Sequence, residues 1–275
     1  MRTLLSSILV VSSVLLWTPL VNGEFSGNKK GLGSVSVPIL LYHRFGPAAS
    51  DSMTTTTKVF RSQLEYVRDH GFTVAPLRQL VDYYLGKGPP PSPGSVVIVA
   101  DDAHKSVYTD MLPIVKQYNV PVTLFIYPSA ISNAPYAMTW AELRELKETG
   151  LFDLQGHTFW HPNFKKEKRM LSWVEYERFV EIQFRKSKDR LERNLDVRVD
   201  MLAWPFGIYD DELIRHAADA GYKAAFTIER RHAADSENVM KIPRYLMQNS
   251  DQGKAFEIIL GQSPGRKSFS EEARR

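Results

Sequence analysis

The chain is expected to fold as an α/β protein, a parallel sheet covered by helices and either open or closed into a barrel. Three observations predict this. Short apolar runs alternate with helix-period segments from residue 37 to residue 260, and such alternation implies parallel strands joined by helical crossovers. The run Val96–Ala100 has no polar break, as expected of a core strand. Several runs end in polar or conformationally special residues ("YH", "ADD", "GHT", "WPFG"), which places them on the carboxyl edge where parallel sheets assemble sites.

Taken in order, the strand candidates are "VPILLYH" (37–43), "FTVAPL" (72–77), "SVVIVADD" (95–102), "VPVTLFIYP" (120–128), "LFDLQGHT" (151–158), "DMLAWPF" (200–206), "KAAFTI" (223–228) and "KIPRYLM" (241–247). Each is a β-branched or aromatic-rich run bounded by turn residues. The helix candidates between them are 57–70, 77–86, 107–118, 139–149, 171–194, 210–221 and 252–260. In the first, Phe60, Leu64 and Val67 share one face while Arg61, Glu65 and Arg68 take the other. The stretch "GKGPPPSPGS" (86–95) reads as a rigid loop and not a linker, because the strand–helix rhythm resumes at once.

A length of 275 residues, 43% hydrophobic and 24% charged, suits one large soluble domain. The net charge of +4 comes without an arginine-rich stripe or aromatic-interleaved basic patch, which argues against a nucleic-acid partner. Residues 1–23 read as a signal peptide: Arg2 is the positive end, Leu4–Leu16 the apolar region and Val21-Asn22-Gly23 a small-residue cleavage site. Ser6, Ser7, Ser12, Ser13 and Pro19 interrupt that segment, so no stable membrane span is expected. The protein is therefore expected to be exported, periplasmic or secreted. With no cysteine it has neither disulfides nor a lipobox thiol. Residues 24–36 read as a flexible leader, 37–260 as one folded domain and 261–275 as a disordered tail.

Two stretches carry chemistry. In "VVIVADDAHKS" (96–106), Asp101 and Asp102 adjoin at the end of a core strand, where like charges repel and burial costs free energy unless a positive charge compensates. The pair Asp210-Asp211 has an ordinary explanation, because it opens an amphipathic stretch whose helix dipole favours acids. In "LQGHTFWHPNF", His157 and His161 stand four apart, but Gly156 and Pro162 disfavour a helix and place them on a strand end and its loop. Two such histidines suit zinc, and a carboxylate completes the shell. A dication is also the charge that the acidic pair lacks. One Asp then binds while the other takes a proton from water, whose pKa zinc lowers from about 15.7 toward about 7.

At these residues the chain resembles the polysaccharide deacetylase family of carbohydrate esterases. The family's first motif, Thr-Phe-Asp-Asp-Gly, aligns with Val99-Ala100-Asp101-Asp102-Ala103; its second, His-Ser/Thr-x-x-His, with His157-Thr158-Phe159-Trp160-His161; the end of its third with Pro205-Phe206-Gly207. The resemblance spans roughly residues 37–247. It implies a distorted (β/α) barrel of about seven parallel strands with outer helices, a divalent metal cofactor, above all Zn2+, and a polysaccharide or oligosaccharide substrate. Carried over, Asp101 is the general base, Asp102, His157 and His161 hold the metal, and the Phe206 amide stabilises the oxyanion. Pro205, Phe206 and Trp160 are assigned to substrate binding.

The departures from the family pattern matter. Ala100 and Ala103 replace Phe and Gly, and Ala103 is strained if that position needs positive φ. The third-motif Arg falls at Ala203, and Arg244 in "KIPRYLM" is the candidate to take over its orienting role. The late Leu-x-His is absent. This form resembles the branch acting on biofilm poly-N-acetylglucosamine and implies an N-deacetylase. An O-acetyl esterase on a polymer such as xylan, or a catalytically silent carbohydrate-binding barrel, are the alternatives. His43 ends the first strand and is read as near the site or structural. "FKKEKRM" (164–170) reads as a solvated loop, and "GQSPG" (261–265) as a chance match to a nucleophile elbow, having a helix before it and Pro inside it.

Overall fold

Strands form where the apolar runs lie, and their pairing shows why those runs are apolar throughout. In the computed structural model, which describes residues 35–235 and 237–261, the strands are β1 (Ser36–Val37), β2 (Ile39–Tyr42), β3 (Arg44–Gly46), β4 (Thr54–Thr56), β5 (Thr73–Val74), β6 (Ser95–Ala100), β7 (Val122–Ile126), β8 (Phe152–Gly156), β9 (Met201–Ala203), β10 (Ala224–Phe226), β11 (Ala233–Ala234) and β12 (Tyr245–Leu246). The main sheet runs β10-β9-β8-β7-β6-β2-β12, every neighbouring pair parallel, with β5 added to the start of β6.

The segment 239–247 draws the two edges of this sheet together. Ile242 bridges to Phe226 of β10, with its N–H on the Ala225 carbonyl, while Tyr245 and Leu246 pair with Leu40 and Leu41 of β2. The expected distorted barrel of seven parallel strands is thus the observed one. Alternate residues of each strand divide between two cores. Ile39, Leu41, Val97, Val99, Phe125, Met201, Ala203, Ala224, Phe226 and Ile242 pack together in the first core. Their sequence neighbours Leu40, Ile98, Ala100, Leu124, Leu202 and Ala225 pack in the second, with helix residues such as Phe60, Leu64, Val115 and Leu191. Burial on both faces is why the strands lack polar alternation.

The helices are α1 (Thr57–Asp69), α2 (Leu77–Tyr84), α3 (Leu112–Tyr118), α4 (Trp140–Glu148), α5 (Phe164–Met170), α6 (Trp173–Glu181), α7 (Ser187–Leu195), α8 (Asp211–Asp219) and α9 (Lys254–Gly261). Local chemistry sets their starts. Thr139 with Glu142 and Ser172 with Glu175 form reciprocal capping boxes at α4 and α6. Asp210 caps α8 by accepting the Leu213 N–H, the role expected for it.

Several expectations need correction. The strand expected over 72–77 is two residues long, because Pro76 caps α2, whose Leu77, Leu80 and Val81 join the first core. The basic run 164–170 is helical, since the Asn163 side chain accepts the Lys166 N–H and Phe164 is buried. The helix expected over 171–194 is interrupted by a widened, π-type turn at Ile182–Lys186. Ser36, expected to belong to the leader, instead pairs in β1 with Ala234 of β11. The signal peptide, the rest of the leader, and the tail with its "GQSPG" beyond Gly261 lie outside the described residues.

Gly156 ends β8 immediately before His157, and a Cβ there would stand 2.8 Å from the hydroxyl and 3.1 Å from Cε1 of buried Tyr222. That ring is buried, so it can give way only by disturbing its neighbours. Gly156→Ala is expected to lower stability by about 1–3 kcal/mol through overpacking, measured as a shifted denaturation midpoint; an unchanged midpoint would mean that the ring yields.

Candidate active site

The carboxyl ends of the strands deliver the site. Asp101 and Asp102 follow β6, Tyr127 follows β7, His157 follows β8, Trp204–Phe206 follow β9 and His43 follows β2. Asp101 is anchored first by its backbone, whose N–H donates to the Tyr42 carbonyl at 2.9 Å. Its side chain is buried, and Arg244, itself fully buried, grips it from both sides: Nη1 donates to Oδ1 at 2.8 Å and Nη2 to Oδ2 at 3.0 Å. The Arg244 Nε–H donates to the Thr227 carbonyl at 2.9 Å, and the guanidinium lies 5.4 Å from the Phe125 ring centroid. Burial alone would push the Asp101 carboxyl up, but the charge of Arg244 and its hydrogen bonds hold it below the usual carboxylate range.

Asp102 is the opposite case. Burial pushes its carboxyl up, against the pull of His43, and the charge of Asp101 adds to the rise. Its Oδ1 is buried and has no hydrogen-bond partner among the described residues. That oxygen lies 3.6 Å from His157 Nε2 and 3.8 Å from His161 Nε2. The His157 Nδ1–H donates to the Ala203 carbonyl at 2.8 Å, which leaves the Nε2 lone pair facing the carboxylates. Burial pushes His157 down to about 3 and lowers His161 as well, so both imidazoles are neutral at pH 7 and ready to donate lone pairs. One ligand atom from each of Asp102, His157 and His161 lies within 4.8 Å of the others. An orphaned carboxylate oxygen among neutral imidazoles fits a divalent cation.

Backbone geometry sets the pocket. Asp102, Ala103, Thr158, His161 and Phe206 all have positive φ, at 73°, 53°, 63°, 61° and 55°. Ala103 therefore does occupy the conformation that favours glycine. Its cost of about 1–2 kcal/mol is partly offset by burial of its methyl, worth about 0.8 kcal/mol.

The remaining candidates divide by exposure. Phe206 is 56% exposed, with its ring edge-on to His161 at 4.5 Å between centroids. Trp160 is 52% exposed and lies against Phe179. Pro205, by contrast, is buried, as is Trp204, whose indole N–H donates to the Met240 carbonyl. A buried ring offers a substrate little surface, which speaks against the substrate-binding role expected of Pro205.

Sequence reasoning missed a further aromatic group beside His161. Tyr127 lies 5.5 Å from His161, its hydroxyl is 3.0 Å from that of exposed Tyr136, and Tyr136 stacks on His104. The signal was Tyr127 at the end of an apolar strand, the position that drew attention to Asp101. A second acid–histidine group, Glu177, Glu212 and His216, lies on α6 and α8. There Lys168 pairs with Glu212 and Asp210 and already supplies positive charge.

Comparison with known proteins places this geometry. Poly-beta-1,6-N-acetyl-D-glucosamine N-deacetylase of Staphylococcus epidermidis is 26% identical over 223 residues, covering 80% of this chain and 74% of that protein. The protein of the same name from Staphylococcus aureus strain MRSA252 is 27% identical over 205 residues, 73% of this chain and 69% of that one. Among solved structures, the Streptococcus pyogenes deacetylase PplD in complex with acetate superposes with a TM-score of 0.73 at 21% identity, over 83% of this chain and 99% of that chain. IcaB from Ammonifex degensii gives 0.68 at 22% identity, over 80% and 94%. Both likenesses speak to the fold. The polysaccharide deacetylase family model matches residues 88–225, from the loop before β6 into β10. That span takes in the acidic pair and both histidines, and the chain belongs to the polysaccharide deacetylase family.

Proposed function

We propose that this chain is an exported hydrolase that removes N-acetyl groups from a poly-N-acetylglucosamine, with residues 37–260 as its catalytic domain and zinc as its cation. The observation that carries the reading is the buried bidentate Arg244–Asp101 pair beside the orphaned oxygen of Asp102. One carboxylate is held ionised by protein and the other waits for a different partner. The names of the staphylococcal relatives support the substrate class. The apolar segment Leu4–Leu16 behind Arg2 supports export. Among the described residues no helix is long and apolar enough to cross a membrane.

Asp102, His157 and His161 would hold the ion, which when bound polarises the acetamide carbonyl and acidifies water. Asp101 takes the proton of the attacking water. Arg244 makes that effective by keeping the carboxylate charged at neutral pH and fixing its orientation, while each oxygen retains a free lone pair. As the water oxygen adds to the acetamide carbon, the carbonyl π pair moves onto its oxygen, and the Phe206 N–H is assigned to that developing anion. The C–N bond then breaks, its electron pair and one proton go to the sugar nitrogen, and acetate departs.

His43 is assigned the proton donation. Its Nδ1 is buried without a hydrogen-bond partner among the described residues, and it follows Tyr42, which pairs with Ala100 next to the acidic pair. His43→Gln is expected to lower kcat by about 100-fold or more with zinc content unchanged. Zinc lost along with turnover would place His43 in the scaffold of the ion instead. Exposed Trp160 and Phe206 are assigned to packing against pyranose faces.

Acetate release from β-1,6-linked N-acetylglucosamine oligomers tests the reading, beside β-1,4-linked oligomers and acetylated xylan. Release from the β-1,6 oligomers is expected. Release from xylan alone would make the protein an O-acetyl esterase. No release from any of the three by the zinc-loaded protein would make it a binding barrel.

A further inference from the structure

The rod formed by α6, the widened turn and α7 lies against the metal-ligand loop, and its sequence explains the widening. Its buried residues include two series spaced by four: Tyr176, Val180 and Phe184, then Gln183, Ser187, Leu191 and Leu195. Each step of four overshoots a regular turn by about 40°, so an unbroken α-helix would rotate these residues away from the barrel. The π-type turn at Ile182–Lys186 takes up that drift.

What the turn and the first residue of α7 present is specific. The Trp160 N–H donates to Gln183 Oε1 at 3.1 Å, the Ser187 hydroxyl donates to the Thr158 carbonyl at 2.9 Å, and Lys186 Nζ lies 4.2 Å from the Phe159 ring centroid. These are the three consecutive residues between His157 and His161. The loop they form has positive φ at Thr158 and at His161, conformations that persist only where the surroundings over-determine them. Gln183 and Ser187 are completely buried. Gln183 is costly there, because its Nε2 has no partner among the described residues. A leucine would fill the same space without that cost, so the amide is explained by the acceptor that it offers Trp160.

We infer that Gln183 and Ser187 are positioning residues for the two histidine ligands, and that the widened turn, by holding the loop 158–160, sets the affinity of the site for its cation. The inference rests on the metal-site reading above. It is tested by chelator competition for zinc on the full chain, comparing wild type, Gln183→Leu and Ser187→Ala, with thermal melting of each metal-free protein alongside. Both variants are expected to bind zinc about 10–100-fold more weakly, the range for groups that orient metal ligands. Wild-type affinity in both variants, whatever happens to the metal-free melting temperature, would reduce the two side chains to packing and overturn the inference. Failure of the wild type itself to bind zinc would overturn the metal site and the inference with it.

Discussion

Arg244→Ala is expected to produce the largest combined loss in this protein. It leaves Asp101 buried and unpaired, which costs about 3–5 kcal/mol of stability, and it also orphans the Thr227 carbonyl. Turnover should fall by at least about 100-fold, because the base is then neither oriented nor held ionised. The sign of the pH dependence follows from the shift. In the wild type the Asp101 carboxyl lies below its ordinary value, so its contribution to stability is present at neutral pH and lost as pH falls through the folded value. Without Arg244, burial dominates and the carboxyl rises. Stability should then decline as pH climbs above about 4, and the acid limb of kcat/KM should move upward. Arg244→Lys should recover only part of this, since an ammonium lacks the two-pronged fork. Melting curves and pH–rate profiles check both signs; an unmoved acid limb would mean that another group sets the charge of Asp101.

Asp102→Asn is expected to act in opposite directions on the two forms of the protein. Asp102 is a carboxylate raised by burial and by Asp101, so when ionised and metal-free it opposes folding at pH values above its unfolded pKa. Neutral asparagine removes that opposition, and the metal-free variant should melt above the metal-free wild type at neutral pH. Zinc affinity should fall by more than about 100-fold, beyond the range for groups that merely orient ligands, and the stabilisation gained on adding zinc should vanish with it. Differential melting with and without zinc checks this. A variant that melted below the metal-free wild type would show that the Asp102 charge is satisfied by protein alone.

Much of this was legible before any coordinates. The parallel sheet and its covering helices follow from the strand–helix rhythm, the barrel from the family resemblance, and the chemistry from two carboxylates ending an apolar run. Closure of the barrel was not legible, because no pattern within "KIPRYLM" says that Ile242 meets β10 while Tyr245 meets β2. The same topology is what carries Arg244 to Asp101, so that pairing could be suspected from the family's missing arginine but not placed. Positive φ at Thr158, His161 and Phe206 escapes a reading based on propensity, since none of these residues prefers it; tertiary contacts impose it. The short helix α5 had a visible start in Asn163, and the charge of its Lys-rich face concealed it. The widened turn was encoded in buried residues four apart, a spacing that resembles an ordinary helix until the drift is summed. The motif did not show that Phe206 is exposed beside His161 while the Pro205 ring is buried.

The most direct test of the account is zinc content and acetate release measured together on Asp101→Asn. The division of labour between adjacent carboxylates predicts a variant that binds zinc as the wild type does and releases acetate from β-1,6-linked oligomers about 1,000-fold more slowly, within the range for a lost general base. Loss of zinc along with activity would make Asp101 a ligand, and near-normal release would remove it from proton transfer; either result would contradict the account.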